Sequence, residues 1–74
     1  MTEKVMAVLK EINANIKEGV NLIKEGLIDS FEVVHIVMEL ESVFDIEIDP
    51  EAVIAENFET VDTIVELVKK SMEE

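Results

Sequence analysis

The chain has 74 residues, of which 49% are hydrophobic, and its formal net charge at pH 7 is −12, from 18 acidic residues against six lysines. This length predicts one domain over residues 1–74, which is too small for a deep catalytic cleft, so we expect no enzyme. The negative charge excludes nucleic-acid binding and predicts basic partners. The absence of cysteine excludes disulfides and thiol chemistry, and with no secretory signal or long apolar run we expect a cytoplasmic protein without membrane insertion.

The first predicted element is an amphipathic helix that Thr2 can cap and that ends between Asn13 and Gly19. Its apolar stripe follows the spacing of an α-helix and consists of Val5, Leu9, Ile12 and Ile16. A long loop over residues 17–28 follows. Because this loop contains five large aliphatic residues, we expect it to lie across the helices with some of them buried. Gly26 supplies the turn before the next helix.

The second helix is predicted to run from Ser30 to Phe44 or Asp45. Asp29 occupies its N-cap and Glu32 the third helical position, which fits the capping-box pattern with aspartate in place of serine or threonine. The helix has a predicted core stripe and a second apolar row. The core stripe is Val33, Val37, Leu40 and Phe44, and the second row is Phe31, Val34 and Met38. This row is either covered within the bundle itself or faces a partner or a ligand.

The rest of the chain predicts an extended connector over residues 45–48 and two further helices. A short helix begins at Pro50 with Asp49 as its cap and ends near Asn57. Thr60 opens the last helix. The apolar stripe of the last helix is Val61, Ile64 or Val65, Val68 and Met72. The predicted fold is all-α: a four-helix bundle of three longer helices and one short helix, with a long loop between helices 1 and 2.

Ser30 is the residue with the most specific chemical context. A phosphate esterified to its hydroxyl would lie beside unpaired backbone N–H groups at the positive end of the helix dipole, although Asp-Ser before an apolar run is also an ordinary helix cap. A hydrolase using Ser30 would need a histidine that the spacing does not bring near. His35, the single histidine, falls on the outer face near Glu39 and Ser42, which favours a solvated residue over a metal ligand, and no metal site is predicted.

Taken together, these residues resemble the acyl carrier protein family, including its aminoacyl and D-alanyl carrier relatives. The resemblance covers roughly residues 22–70 and rests on the stretches 22–31, 38–44, 46–48 and 58–61. It implies a four-helix bundle that carries 4′-phosphopantetheine from coenzyme A on Ser30, with an acyl or aminoacyl group as a thioester on the terminal thiol. The implied partners are a phosphopantetheinyl transferase, an acyl- or aminoacyl-loading ligase and downstream acyl-processing enzymes with basic docking surfaces. The chain itself is expected to be a monomer.

Three differences from the family bear on the pathway. Phe31 stands where the family usually has leucine, His35 and Ser42 stand where outward carboxylates are common, and the loop before Asp29 is shorter than in fatty-acid carriers. These differences favour a specialised pathway over housekeeping fatty-acid synthesis. The absence of a Gly-Gly pair before Asp29-Ser30 argues against a peptidyl carrier excised from a modular synthetase.

Enzymes that act on a thioester must approach Ser30, so the predicted docking surface combines the second apolar row with an acidic rim. The predicted docking residues are Phe31, Glu32, Val34, His35, Met38, Glu39, Glu41 and Asp45. Residues 25–68 contain 13 of the acidic residues and no lysine, which suits a basic partner. The same features would also serve an alternative function, an acidic helical interaction module that is never modified.

Overall fold

The computed structural model describes residues 1–73, and this part of the chain has three α-helices, two short 3-10 helices and no strand. The helices are α1 (Thr2–Ile12), α2 (Ser30–Phe44) and α3 (Val61–Met72), and α1 packs against both of the others. The all-helical class is therefore confirmed. No helix within residues 1–73 has the length and apolar character needed to cross a membrane.

The predicted short fourth helix is wrong as an α-helix, because two 3-10 turns, Pro50–Ala52 and Ala55–Phe58, take its place. Val53 (ψ 74°) and Ile54 (ψ 154°) interrupt it in non-helical conformations, and β-branched residues in series disfavour helix. The side-chain amide of Asn57 donates to the Ala52 carbonyl at 2.7 Å, which satisfies the end of the first turn. Asp49 caps that turn as predicted, since its side chain accepts the N–H of Glu51.

Helix α1 differs from its prediction at both ends. Its N-cap is Met1, which makes no side-chain cap bond, so Thr2 is the first helical residue and not the cap. It ends at Ile12 because Asn13 is extended (φ −151°) and the Asn13 side chain accepts the N–H of Asn15 at 2.9 Å, a local bond that competes with the helix. Ile16 is nevertheless buried and reaches the core from the loop.

The core lies between the three helices and includes residues of the loops. Its buried members are Val5, Val8, Leu9, Ile16, Leu22, Ile28, Ile36, Leu40, Ile48, Phe58, Val61, Ile64, Val65, Leu67 and Val68. On α2 the fully buried residues are Ile36 and Leu40, whereas Val33, Val37 and Phe44 are half-buried. The predicted stripe omitted Ile36, which is one turn from Val33 and Leu40 on the same side of the helix. Met72, predicted in the last stripe, is exposed at the end of α3.

Residues 13–29 form a segment of turns that is fixed at Leu22. The Leu22 N–H donates to the Glu59 carbonyl at 2.6 Å, and its carbonyl accepts the N–H groups of Leu27 (2.8 Å) and Ile28 (3.3 Å). Gly26 lies in the left-handed region at φ 71°, where a Cβ would meet no neighbour, so its backbone angle and not space selects glycine. These bonds fix the course of the chain just before α2.

Candidate functional site

Ser30 is the exposed first residue of α2, and it lies between Asp29 and Glu32, the two members of a complete capping box. Asp29 Oδ1 accepts the N–H of Glu32 at 2.9 Å, and Glu32 Oε1 accepts the N–H of Asp29 at 3.0 Å. The predicted start of α2 and its capping box are confirmed. Such a box fixes the direction in which the chain enters a helix, so the hydroxyl of Ser30 is presented at a defined point on the surface.

The box leaves two N–H groups at this helix end without an acceptor. The backbone N–H groups of Asp29 and Glu32 donate to each other's side chains, and the Val33 N–H donates to the Asp29 carbonyl at 2.9 Å. Within residues 1–73, the backbone N–H groups of Ser30 and Phe31 have no acceptor. Unpaired N–H groups and the helix dipole favour an anion at this position. An exposed hydroxyl beside them fits a phosphate ester.

The other two serines offer different environments. Ser71 donates its hydroxyl to the Leu67 carbonyl at 2.9 Å within α3 and is half-buried. Ser42 is exposed but lies inside α2, where the backbone N–H groups are used by the helix. Ser30 is therefore the serine that combines exposure with free backbone donors.

The second apolar row of α2 is exposed to solvent. Phe31 is 85% exposed, Val34 55% and Met38 63%. Exposed large apolar residues in a contiguous row mark surfaces that contact a partner. Of the two interpretations left open by the sequence, coverage within the bundle is wrong, because the three helices leave this row free.

A groove of about 380 Å³ runs beside this row. One wall comes from α2 and the other from the connector and the first 3-10 turn. The α2 wall is Val34, Val37 and Met38, the facing wall is Ile48, Pro50 and Val53, and Glu41 lies between them. The sequence did not predict the facing wall.

The predicted rim residues differ in what they contact. Asp45 is exposed, and Glu32 and Glu39 are half-buried. His35 Nε2 lies 3.6 Å from Glu39 Oε1, and the His35 side chain is the more exposed of the two. Glu41 is half-buried, and its Oε2 accepts the N–H of Ile48 at 2.9 Å. No sequence pattern indicates this last contact, which joins residues seven positions apart.

Comparison with known families and proteins gives one match. The family described as phosphopantetheine attachment site matches residues 2–68, which spans α1, α2, both 3-10 turns and most of α3. No curated protein and no solved structure matches the chain significantly.

Proposed function

Because the chain belongs to the phosphopantetheine attachment family, whose match covers residues 2–68, we propose that it is an acyl or aminoacyl carrier protein with 4′-phosphopantetheine on Ser30. Membership confirms the resemblance found in the sequence, and the family's domain is the attachment site of covalent 4′-phosphopantetheine. Carrier domains of this kind are typically not catalysts and interact with modifying and processing enzymes.

The observation that carries the proposal is the surroundings of the Ser30 hydroxyl. Ser30 is exposed, and its own backbone N–H and that of Phe31 have no acceptor in the described chain. A phosphodiester keeps a negative charge, which these groups and the helix dipole stabilise. Asp29 supports the site indirectly, because its carboxylate holds the turn that presents Ser30.

In the proposed function the chain supplies the attachment point, and the enzymes that load and use the arm supply the catalytic groups. When bound, the arm provides a terminal thiol on which an acyl or aminoacyl group is carried as a thioester. The residues of the chain orient the arm at the start of α2 and offer a surface to the enzymes that load and use it.

The proposed docking surface consists of the exposed row Phe31, Val34 and Met38 with its acidic rim. An apolar centre with a charged rim is typical of transient interfaces. Since residues 25–68 contain no lysine, an enzyme with a basic surface around an apolar patch is complementary to it. We propose as partners a phosphopantetheinyl transferase, a loading ligase and acyl-processing enzymes, each approaching Ser30 over this row.

The test is the intact mass of the chain after co-expression with a broad-specificity phosphopantetheinyl transferase. We expect the wild type and the control Ser42→Ala to gain one phosphopantetheinyl group and Ser30→Ala to gain none while it stays folded by circular dichroism. A modified Ser30→Ala variant would contradict the attachment site. An unmodified wild type would contradict the carrier function and favour the alternative, an acidic helical module that binds a basic partner.

A further inference from the structure

Glu41, in the last turn of α2, contacts the chain where it leaves the helix for the connector, residues 45–48. Its backbone carbonyl accepts the N–H groups of Asp45 and Ile46, the second at 3.1 Å. Its carboxylate oxygen Oε2 accepts the N–H of Ile48 at 2.9 Å. Asp45 has a left-handed backbone at φ 54°, which ends the helix and redirects the chain. One residue therefore holds three N–H groups of the connector.

The bond to Ile48 has no substitute in the described structure. Within residues 1–73, no other side-chain hydrogen bond joins α2 to the connector, and the Ile48 N–H has no second acceptor. Ile48 is 5% exposed, so its amide lies in a shielded environment. A shielded donor that loses its acceptor costs more than an exposed one, so loss of the Glu41 carboxylate would favour movement of the connector away from α2.

Movement of the connector changes the groove beside the docking surface. Glu41 and Ile48 both line this groove, together with Met38 of α2 and with Pro50 and Val53, which follow the connector. Because the hydrogen bond spans from one wall to the other, its length limits how far apart the walls lie. An apolar side chain of a partner fits best into a groove whose width is fixed before binding.

We propose that Glu41 is a positioning residue of the docking surface, which acts through the acceptor oxygen of its side chain and not through its charge. Its carboxylate holds the connector at a fixed distance from α2, so that both walls of the groove are in place when an enzyme with an apolar contact residue approaches Ser30. This inference rests on the proposed carrier function and refines the role of Glu41, which by sequence position alone is a rim charge.

Two substitutions at Glu41 separate the two roles. Glu41→Gln removes the charge but keeps an acceptor oxygen at the same distance from the backbone. Glu41→Ala removes both the charge and the acceptor. Glu47→Gln is the matched control, since Glu47 is an exposed acid on the same connector that lies outside this groove. The measurements are amide hydrogen exchange at Ile48 and the kcat and KM of the transferase for each variant at low and high salt.

We expect Glu41→Ala to speed exchange at Ile48 by about tenfold and to raise KM by about fivefold at both salt concentrations with kcat unchanged. Glu41→Gln and Glu47→Gln should both stay within about twofold of the wild type in exchange and in KM. Exchange at Leu40, inside α2, serves as the measure that the helix is intact.

A rise in KM for Glu41→Gln that equals the rise for Glu41→Ala and disappears at high salt would overturn the proposal, because the charge of Glu41 would then determine binding. Unchanged exchange at Ile48 in Glu41→Ala would overturn it as well. If Glu41→Ala does not fold, Glu41→Gln alone decides, since the two roles predict opposite results for it. Failure of the carrier function is recognised separately, as a wild-type chain that the transferase does not modify.

Discussion

The inner and outer faces of α2 contain the same kinds of residue in opposite environments. Ile36 and Leu40 on the inner face are fully buried, whereas Phe31 and Met38 on the outer face are exposed. Both rows are regular and apolar, so hydrophobicity alone does not separate a buried row from an exposed one. The comparison shows that one helix can stabilise the fold with one face and leave its other face, next to the proposed attachment site, exposed.

The largest effect is expected on the inner face. Leu40→Ala should lower the free energy of unfolding by about 2–5 kcal/mol, because it removes buried methyl groups and leaves a cavity in a small core. Urea denaturation followed by circular dichroism measures it. A loss below about 0.5 kcal/mol, the level of ordinary surface substitutions, would mean that the inner face of α2 does not support the fold.

The matching change on the outer face should leave stability intact and weaken recognition. Met38→Ala should raise the KM of the transferase by about fivefold, since truncation of an apolar contact at the centre of an interface costs roughly 1 kcal/mol or more, with the unfolding free energy within about 0.5 kcal/mol of the wild type. The control is Met72→Ala, because Met72 is similarly exposed at the end of α3. Equal KM values for both variants would show that the outer row is not a docking surface.

A smaller effect is expected at the acidic rim. Asp45→Asn removes one charge and keeps a residue that tolerates the left-handed backbone at this position. Because rim charges mainly speed association, we expect the association rate with the transferase to fall about twofold at low salt and to match the wild type at high salt. Glu11→Gln, on exposed α1 surface, is the control. A decrease that persists at high salt would assign Asp45 a structural role instead.

The sequence predicted the parts of the fold that local patterns determine. The start of α2, its capping box and its end at Phe44 follow from residues within four positions of each other. The presence of a second apolar row on α2 was also visible from spacing. Whether that row is exposed was not, since exposure depends on where the other helices pack.

The remaining features depend on contacts between distant residues. Ile16 is buried although α1 ends before it, because the loop returns to the core. The hydrogen bond from Ile48 to Glu41 requires the turn at Asp45 to bring the connector back. Local sequence patterns do not predict which of these distant residues come into contact.

The attachment of phosphopantetheine to Ser30 is tested most directly by locating the modified peptide. Chain co-expressed with the transferase is digested by a glutamate-specific protease, which places the three serines on separate peptides, 26–32, 42–47 and 67–73. Tandem mass spectrometry should find the phosphopantetheinyl mass on peptide 26–32, at Ser30, and on neither of the others. Modification on peptide 42–47 or 67–73, or an unmodified peptide 26–32, would contradict the account.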